Sequence, residues 1–270
     1  MKKERYSSLE DFLTSTSLSI DDQLDDGWGA LFPVKGRELD ATILFSDIAG
    51  FSKRTMKLAP SETLIFVNNF FAWITAEALR DGFGIVDKYI GDEIMIVFSR
   101  EFGSQDPFAE AIQAARFMSE HDVLSFQPHI GIASGPVTVG YVGTQMKYNC
   151  SVFGAPVTMA ARCASVRPDL TVAGVYSSCI VFPANEWKER ELETLFPPLQ
   201  YVDPDGKTSI APQKWEILPP HQQPLKNLGS HEVRAILNRV MWMPTQSAEE
   251  RAREALQIIK KRGRYWPQVM

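Results

Sequence analysis

The sequence predicts an α+β fold with a ferredoxin-like β-α-β-β-α-β core and extra strands. Three observations predict it: short apolar runs rich in β-branched residues, glycine-containing turns between pairs of these runs, and longer segments whose apolar residues recur at helical spacing. Strands and helices in this order form an antiparallel or mixed sheet, and we expect the helices to cover one face of it.

Each element is placed by its ends as well as by its periodicity. The first long helix has Pro60 before it and Ser61 in a capping position. The turns Gly91-Asp92 and Gly135-Pro136 indicate tight connections between strands. The predicted core elements are a strand at 41–45, a helix at 61–79, a hairpin of 84–90 and 93–98, a helix at 106–121, a hairpin of 129–134 and 137–142, a helix at 155–165 and a strand near 171–175.

The chain divides into three regions by composition. Residues 1–36 are polar and rich in Ser and Asp, and they predict an N-terminal arm with one short helix at 8–13. Residues 37–219 carry the alternating strands and helices of one compact domain. Residues 220–270 predict a C-terminal helical extension.

The C-terminal extension is predicted to be helical from Leu228 onward. Its clearest helix covers 248–262, where strong helix formers follow a capping box of Ser247 and Glu250. One strand candidate, at 213–217, lies just before the extension in a proline-rich stretch.

Composition excludes several classes of protein. The 270 residues are 44% hydrophobic and 23% charged, which is typical of a globular chain, and the net charge of −5 predicts neither a nucleic-acid-binding nor a membrane-binding surface. No run approaches the roughly 18 apolar residues of a membrane span. The basic N-terminus has no apolar segment after it, so no signal peptide is predicted. Three cysteines without metal-ligand spacing indicate reduced thiols, and hence a cytoplasmic protein.

Two aspartates interrupt apolar runs that otherwise have no use for a charge. Asp47 ends the first strand in Phe-Ser-Asp-Ile-Ala-Gly-Phe-Ser, and Asp92 lies in the turn of Lys-Tyr-Ile-Gly-Asp-Glu. Glycine lets the backbone approach a ligand closely, and strand-end carboxylates suit a divalent ion that carries a nucleoside triphosphate. Either aspartate alone is explained as well by a turn cap. The pair predicts a metal site, with the backbone carbonyl of Ile48 as a further ligand.

Two more features suit phosphate chemistry. Gly50 and Phe51 follow Asp47 where the strand turns into a helix, and backbone N–H groups in such a turn point towards phosphate oxygens. Arg162 lies on the helix predicted at 155–165, and a guanidinium can spread the charge of a transferring phosphoryl group. A lone helical arginine is usually solvated, so its interpretation depends on context.

That context is a resemblance to the class III nucleotidyl cyclases. Four segments of about residues 38–218 resemble the catalytic domain of this family, in the family's order: F-S-D-I-x-G-F-S, K-x-x-G-D, H-I-G-I-A-S-G-P-V-x-x-G-x-V-G and V-F-G-x-x-V-x-x-A-A-R. One such motif is weak support, whereas four in order are strong. The resemblance implies conversion of a nucleoside triphosphate to its 3′,5′-cyclic monophosphate and pyrophosphate, with two Mn²⁺ or Mg²⁺ ions in each site.

The resemblance also implies a homodimer with sites at the interface. Lys88 and Asp92 are four residues apart on either side of a tight turn, so one can face one site and the other the symmetry-related site. A chain with a single set of motifs therefore needs a second copy. The resemblance assigns the metal residues Asp47, Ile48 and Asp92 to one chain, and the base-reading and transition-state residues Lys88, Ser151, Thr158 and Arg162 to the other.

The chain departs from the family at the positions that read the base. Adenylate cyclases of this family pair the lysine at the position of Lys88 with an Asp or Thr, and guanylate cyclases have a Glu/Cys pair, whereas this chain has Ser151 at the second position. The family's usual Asn, one turn before the helical arginine, is Thr158 here. These departures predict an altered pocket and disfavour GTP.

A Lys donor and a Ser hydroxyl can pair with either a purine or a pyrimidine. A pyrimidine leaves a gap, which Phe51 and Tyr89 are near enough in sequence to fill. The sequence around Ser151 also resembles that of the stand-alone pyrimidine cyclases of bacterial antiphage defence. Those enzymes make cyclic UMP or cyclic CMP for a separate effector. We therefore expect UTP as the substrate, with ATP as the alternative.

Two other classes of protein compete with this interpretation. A catalytically silent homologue that only binds nucleotide usually loses a metal aspartate or the helical arginine, and Asp47, Asp92 and Arg162 are all retained. A diguanylate cyclase would need a Gly-Gly-Asp/Glu-Glu-Phe type of hairpin, which this chain lacks. An active nucleotidyl cyclase is the favoured interpretation.

Overall fold

The computed structural model confirms the mixed α+β fold, with a ten-stranded sheet and helices packed on it. It describes residues 6–25, 27–29, 31–80, 82–120, 122, 124–144, 147–168, 176–186, 192–196, 200–202, 208–210, 215–239 and 246–263.

The bounds of the elements follow the predicted order closely through the core. The helices are α1 (Leu9–Ser15), α2 (Phe51–Thr55), α3 (Pro60–Leu79), α4 (Pro107–Glu120), α5 (Ala155–Ala164), α6 (Leu192–Leu195) and α7 (Ala248–Arg262). The strands are β1 (Ile20–Asp25), β2 (Leu31–Ile48), β3 (Ile85–Ile90), β4 (Glu93–Phe98), β5 (Pro128–Thr144), β6 (Lys147–Phe153), β7 (Tyr176–Pro183), β8 (Gln200–Val202), β9 (Thr208–Ile210), β10 (Trp215–Ile217), β11 (His221–Leu225) and β12 (Gly229–Arg239).

In the main sheet β5 and β2 are neighbouring interior strands. The strand order is β10-β12-β7-β5-β2-β4-β3, with β1 also paired to β2, β6 to β5 and β11 to β12, while β8 and β9 form a separate pair. All pairings in the main sheet are antiparallel except β5 with β7. Asp47, the metal residue predicted on β2, lies opposite His129 of β5, and the pairing of β2 with β4 ends one residue before it, at Ser46.

The helices cover both faces of the sheet, so the expectation of one helical face is wrong. Leu44 and Ile48 of β2 face one core cluster together with residues of α3, α4 and α7. Ile43 and Phe45 face a second cluster with residues of α1 and α5. The physical reason is that the run Ala-Thr-Ile-Leu-Phe has apolar residues at both odd and even positions, so apolar side chains point to both faces of the strand. Such a strand is stable only when both of its faces are buried.

The predicted hairpin around Gly135-Pro136 is also wrong, because β5 is one continuous strand that pairs with β2 from Gly36↔Gly140 to Ile48↔Pro128. On its other side β5 pairs with β7 over residues 129–131 and with β6 over residues 138–144. Pro136 lies between the segments of β5 that pair with β7 and with β6, where β5 has no partner strand on that side within the described residues. The N–H that proline lacks is therefore not needed for the sheet.

The C-terminal region is partly strand. The expectation of helix from Leu228 onward is wrong for β12, which pairs with β7 and β10 inside the sheet and buries apolar residues on both faces. The expectation is confirmed for α7, which begins with the predicted capping box of Ser247 and Glu250. The division into regions 1–36, 37–219 and 220–270 stays a prediction, and its second boundary falls between β10 and β11.

The N-terminal arm contains the expected short helix. Ser8 caps α1 by accepting a hydrogen bond from the N–H of Asp11 at 3.0 Å, and Phe12 of this helix is fully buried against Phe102. The predicted strand near 171–175 lies outside the described residues, and β7 begins at Tyr176. Among the helices of the described part, none combines the length and the apolar character that crossing a membrane requires.

Candidate active site

The fold brings the two predicted metal aspartates together. Asp47 is the penultimate residue of β2, and Asp92 lies in the turn between β3 and β4. Because β2 and β4 are neighbours in the sheet, the backbone N–H of Ile48 donates a hydrogen bond to Asp92 Oδ2 at 3.3 Å. The three residues that the sequence predicted as metal ligands thus lie in one corner of the molecule.

The carboxyl groups in this corner have raised pKa values, chiefly because they are partly buried. Burial raises the pKa of Asp47 to about 6; Arg167 acts in the opposite direction, and the charges of Asp92 and Glu93 raise the pKa further. Burial also raises the pKa of Asp92 and of Glu93. Carboxyl groups whose anionic form is destabilised in this way favour a bound cation, which stabilises the anion.

Asp47 has one oxygen in use and one free. Arg167 Nη2 donates a hydrogen bond to Asp47 Oδ2 at 2.9 Å. Asp47 Oδ1 is buried and accepts no hydrogen bond from the described residues, and His129 Nδ1 lies 3.8 Å from it. Burial lowers the pKa of His129 to about 3, so the ring is neutral and adds no positive charge. A buried carboxylate oxygen without a partner is costly, and a divalent ion would remove that cost.

The donor set therefore fits a divalent ion that is shared with a substrate. Among the described residues, no group of three or more His, Cys, Asp or Glu side chains is arranged to hold a metal. Two carboxylates and a backbone carbonyl leave open positions, and Mg²⁺ in nucleotide enzymes typically fills such positions with phosphate oxygens and water. Asp47, Asp92 and Ile48 suit that arrangement.

The turn after Asp47 is shaped by a glycine. Gly50 has φ +66°, a left-handed conformation that strongly favours glycine, and it precedes the first residue of α2. The turn is held at Ala49, whose N–H donates to Gln127 O at 3.3 Å and whose carbonyl accepts from Arg54 Nε at 2.9 Å. Phe51, which the sequence predicted as a substrate contact, packs its partly buried ring against the core cluster that contains Ile48.

The predicted base-reading pair is also brought together, by strands distant from each other in the sheet. Lys88 Nζ of β3 donates a hydrogen bond to Ser151 Oγ of β6. Both side chains contact Asp87: Ser151 Oγ donates to Asp87 Oδ2 at 3.0 Å, and Lys88 Nζ lies 3.1 Å from the same oxygen. The Asp87 side chain is only 1% exposed, and burial raises its pKa while Lys88 and Ser151 act in the opposite direction.

Sequence reasoning missed Asp87, although a signal was available. Its charge interrupts the apolar run Ile85-Val86 immediately before Lys88, as Asp47 interrupts the run in β2. Tyr89 was expected to fill a gap beside the base. Its ring instead lies 4.4 Å from that of Phe71 on α3, because successive side chains of a strand point to opposite faces.

A cavity of about 540 Å³ lies beside Lys88 and Ser151. The helix α1 forms part of its wall, which the division into an arm and a domain did not predict. Its lining residues are Ser8, Leu9, Glu10, Val86, Asp87, Lys88, Tyr141, Val142, Tyr148, Asn149, Cys150, Ser151 and Phe153.

Thr158 and Arg162 lie one turn apart on α5, so they share one side of the helix. Thr158 is exposed. Arg162 is partly buried, and its Nε atom is buried without a hydrogen-bond partner among the described residues. Its positive charge acts to lower the pKa of Glu93, so Arg162 lies near the carboxylate corner of its own chain, which is formed by Asp47, Asp92 and Glu93.

Arg167 is a second residue that the sequence gave no reason to select. Besides contacting Asp47, its Nη1 atom donates hydrogen bonds to the carbonyl oxygens of Ala164 and Val166 at the end of α5. A cation is favoured at a helix C-terminus, and here the same side chain connects that terminus to the carboxylate corner.

Comparison with solved structures supports the fold. The chain is similar to a bacterial light-regulated adenylyl cyclase (24% identity, TM-score 0.53, covering 82% of this chain and 59% of the other). It is also similar to the adenylyl cyclase CyaB from P. aeruginosa (20% identity, TM-score 0.52, 77% and 99%) and the guanylyl cyclase Cya2 (20% identity, TM-score 0.54, 79% and 98%). At these identities the likeness concerns the fold alone.

Curated relatives match part of the chain. An uncharacterized protein of Mycobacterium tuberculosis is 31% identical over 130 residues, which are 47% of this chain and 24% of that protein. The terminal-differentiation specific adenylate cyclase of Dictyostelium discoideum is 30% identical over 129 residues, which are 45% of this chain and 6% of that protein. The chain thus spans a quarter or less of the length of these relatives.

The family model supplies the assignment. The model of the adenylate and guanylate cyclase catalytic domain matches residues 34–175, which is more than half of the 270 residues. The matched segment contains every residue that the sequence analysis selected for the site. The chain therefore belongs to the adenylate and guanylate cyclase catalytic domain family.

Proposed function

We propose that this chain is an active class III nucleotidyl cyclase that converts UTP to its 3′,5′-cyclic monophosphate and pyrophosphate. The observation that carries the reaction is the partly buried pair Asp47 and Asp92, joined through Ile48, in which Asp47 Oδ1 has no hydrogen-bond partner among the described residues and is free for a cation. Family membership supports the general activity, and the choice of UTP depends on the base end of the site, formed by Lys88 and Ser151.

Two divalent ions, Mn²⁺ or Mg²⁺, are the proposed cofactors. Cyclase domains of this family use divalent metals, and Asp47, Asp92 and the carbonyl of Ile48 are the residues that would hold them here. When bound, the ions would activate the ribose 3′-hydroxyl and offset the charge of the leaving pyrophosphate. The backbone N–H groups of Gly50 and Phe51 lie in the turn that follows Ile48 and Ala49, and we assign them to the phosphate oxygens.

Arg162 and Thr158 are the proposed catalytic residues. A guanidinium in a partly buried position stabilises charge that develops on the α-phosphoryl group more strongly than a solvated one does. The Nε of Arg162 has no hydrogen-bond partner among the described residues, and we assign it to this contact. Thr158 lies one turn away on the same side of α5 and is assigned to the ribose. Its hydroxyl is shorter than the family's Asn and requires a different ribose position.

Lys88 and Ser151 are proposed to read the base. Ser151 donates its proton to Asp87, so its oxygen accepts from the ligand or from Lys88, while the ammonium of Lys88 retains a donor. One donor beside one acceptor is complementary to O4 and N3–H of uracil. The same arrangement also accepts N1 and N6–H of adenine, which makes ATP the alternative substrate and cyclic AMP the alternative product.

A homodimer is proposed because each chain supplies complementary halves of two sites. Large apolar side chains on the β3–β4 and β5–β6 hairpins are exposed, which is typical of an interaction surface. The exposed fractions are 50% for Tyr89, 50% for Ile90, 43% for Val142, 37% for Tyr148 and 45% for Phe153.

A mixing experiment tests this arrangement. Asp47→Asn chains would be inactive alone, and Lys88→Met chains, which bind the base weakly, would be nearly inactive alone when UTP is kept far below their KM. If Lys88 acts on the metal site of the partner chain, an equal mixture restores about a quarter of the wild-type activity, because half of the dimers then carry one intact site. A mixture that stays inactive would contradict the shared site, and size measured by light scattering checks that both variants are dimers.

The substrate is tested by incubating the purified chain with each of the four ribonucleoside triphosphates and Mn²⁺, and identifying the product by mass spectrometry. Dominant cyclic UMP is the expected result. Dominant cyclic AMP would contradict the UTP assignment but would still support nucleotidyl cyclase activity. No product from any of the four would favour the silent nucleotide-binding homologue instead.

The role in a cell is proposed from the resemblance to pyrimidine cyclases. There the cyclic nucleotide is a second messenger that activates a separate effector during antiphage defence, and we assign the same role to this chain. Cells that carry the wild-type gene with its neighbouring genes should survive phage infection better than cells with Asp92→Asn. Equal survival would contradict the defensive role without bearing on the enzymatic one.

A further inference from the structure

The C-terminal helix α7 lies outside the family match and packs beside the turn that carries the metal residues. Its apolar side joins the core cluster of α3, through Ala252, Ala255, Leu256 and Ile259. Ion pairs at either end of the helix, Lys57 with Glu249 and Lys260 with Glu62, each measure 3.0 Å. The helix is therefore fixed against α2 and α3, the two helices that follow the metal-binding turn in the chain.

One side chain of α7 reaches that turn through a chain of hydrogen bonds. Arg251 Nη1 donates to Gln127 Oε1 at 3.2 Å, and Arg54 Nη2 donates to the same oxygen at 2.8 Å. Arg54, which is only 1% exposed, then donates from Nε to the carbonyl of Ala49 at 2.9 Å. The backbone of Gln127 closes the connection by accepting the N–H of Ala49 at 3.3 Å.

The loop that contains Gln127 is in an unfavourable conformation. Ser125 and Gln127 have φ values of +54° and +58°, which cost free energy for residues other than glycine and persist only where several contacts impose them. Asp122 accepts the N–H groups of Phe126 and Gln127 at 2.8 and 2.6 Å, and Arg54 donates to the carbonyl of Ser125. The position of Gln127, and with it that of Ala49, depends on these contacts.

We propose that Arg251 is a positioning residue for the metal-binding turn, acting through Gln127 and Arg54 on Ala49. Ala49 directly follows Ile48, whose carbonyl is a proposed ligand, so a shift of Ala49 moves that carbonyl and the end of β2. The inference rests on the proposed function, because the turn matters only if metal binds there. Residues that orient metal ligands from outside typically change metal affinity by 10- to 100-fold when they are replaced.

The test compares Arg251→Met with Lys260→Met in the full chain. Both remove a cation of α7 that contacts another element, but only Arg251 contacts Gln127. Hydrogen exchange of the peptide covering residues 46–56 reports the turn directly, and Mn²⁺ binding is measured with 3′-deoxy-UTP, which cannot cyclise. We expect Arg251→Met to speed exchange and weaken Mn²⁺ binding by at least about tenfold relative to Lys260→Met, at a similar melting temperature.

A second variant keeps the test decisive if Arg251→Met does not fold. Gln127→Ala breaks the same connection from the loop and is expected to give the same changes, and the double variant should be no worse than Gln127→Ala alone, because the two residues act in series. Equal exchange and equal Mn²⁺ binding in the Arg251 and Lys260 variants would overturn the inference. If the wild type makes no cyclic nucleotide but the turn still loosens and Mn²⁺ binding weakens, the inference stands and the proposed function fails.

Discussion

The carboxylate end and the base end of the candidate site are held in different ways. Asp47 and Asp92 belong to neighbouring parts of one sheet, and a backbone hydrogen bond from Ile48 connects them. Lys88 and Ser151 come from strands that are not neighbours, and they are joined only by side-chain contacts, with each other and with the carboxylate of Asp87. The first end is set by strand register, whereas the second depends on side-chain contacts that a single substitution can change.

The largest effect is expected at the carboxylate end. Asp47→Asn or Asp92→Asn removes a negative charge from the proposed metal site, and we expect kcat to fall roughly a thousandfold, since metal ions contribute several kcal/mol to such reactions. The control is Asp40→Asn, which removes an exposed charge from the same strand. Cyclic nucleotide formation measures the rate, and circular dichroism checks the fold. Retained activity in either site variant would remove the two-metal scheme.

The next largest effect is expected at Arg162, whose side chain makes no hydrogen bond to either end within the described part of the chain. Arg162→Ala should lower kcat by roughly 10²- to 10³-fold and leave KM nearly unchanged, because the guanidinium stabilises charge that develops only in the transition state. The control is Arg253→Ala on the exposed side of α7. A rise in KM as large as the fall in kcat would mean that Arg162 contributes to substrate binding.

Mixing variants shows which carboxylate corner Arg162 serves. Within one chain the residue lies near Glu93, whereas the family resemblance assigns it to the partner chain. Arg162→Ala mixed with Asp47→Asn should restore about a quarter of the wild-type activity if Arg162 acts on the partner. If the mixture stays inactive, Arg162 acts on the carboxylates of its own chain. That result would also contradict the view that the carboxylate end and the base end are separable.

A smaller and different change is expected at the base end. Asp87→Asn removes the buried charge that holds Lys88 and orients Ser151, so we expect KM for UTP to rise about tenfold with little change in kcat, because binding rather than chemistry is impaired. Discrimination between UTP and ATP should fall in parallel. The control is Asp22→Asn on the exposed strand β1. A large loss of kcat with unchanged KM would mean that the two ends are not separable.

The smallest effect concerns stability near the carboxylate end. Burial raises the pKa of Asp122 to about 6 from its ordinary 3.8, so the folded chain holds this proton more tightly than the unfolded chain. The stabilising contribution is therefore present below about pH 4 and is lost as the pH rises through about 6. Between about pH 5 and pH 7 the melting temperature of the wild type should fall by roughly 2–4 °C relative to Asp122→Asn. Parallel melting curves would contradict the raised pKa.

The sequence predicted those parts of the site that are encoded locally. Asp47 and Asp92 were recognisable because each places a charge in an apolar run beside a glycine turn, and strand pairing then brings such positions together. Helix α7 was recognisable from its capping box. Glycine turns alone were misleading at Gly135-Pro136, where the chain continues as β5, because only the neighbouring strands decide whether a proline interrupts the sheet.

What the sequence determined by itself was therefore the fold class and the four motifs, and from these it predicted the candidate metal and transition-state residues. Short-range periodicity and turn chemistry indicate the helices, the strands and the two aspartates within a few residues, whereas the role of Arg162 is implied by the family resemblance. The tertiary structure alone decided that Asp87 supports Lys88 and Ser151, that Arg167 contacts Asp47, and that Arg251 reaches Ala49 through Gln127. These contacts join residues up to 124 positions apart, so no local pattern records them.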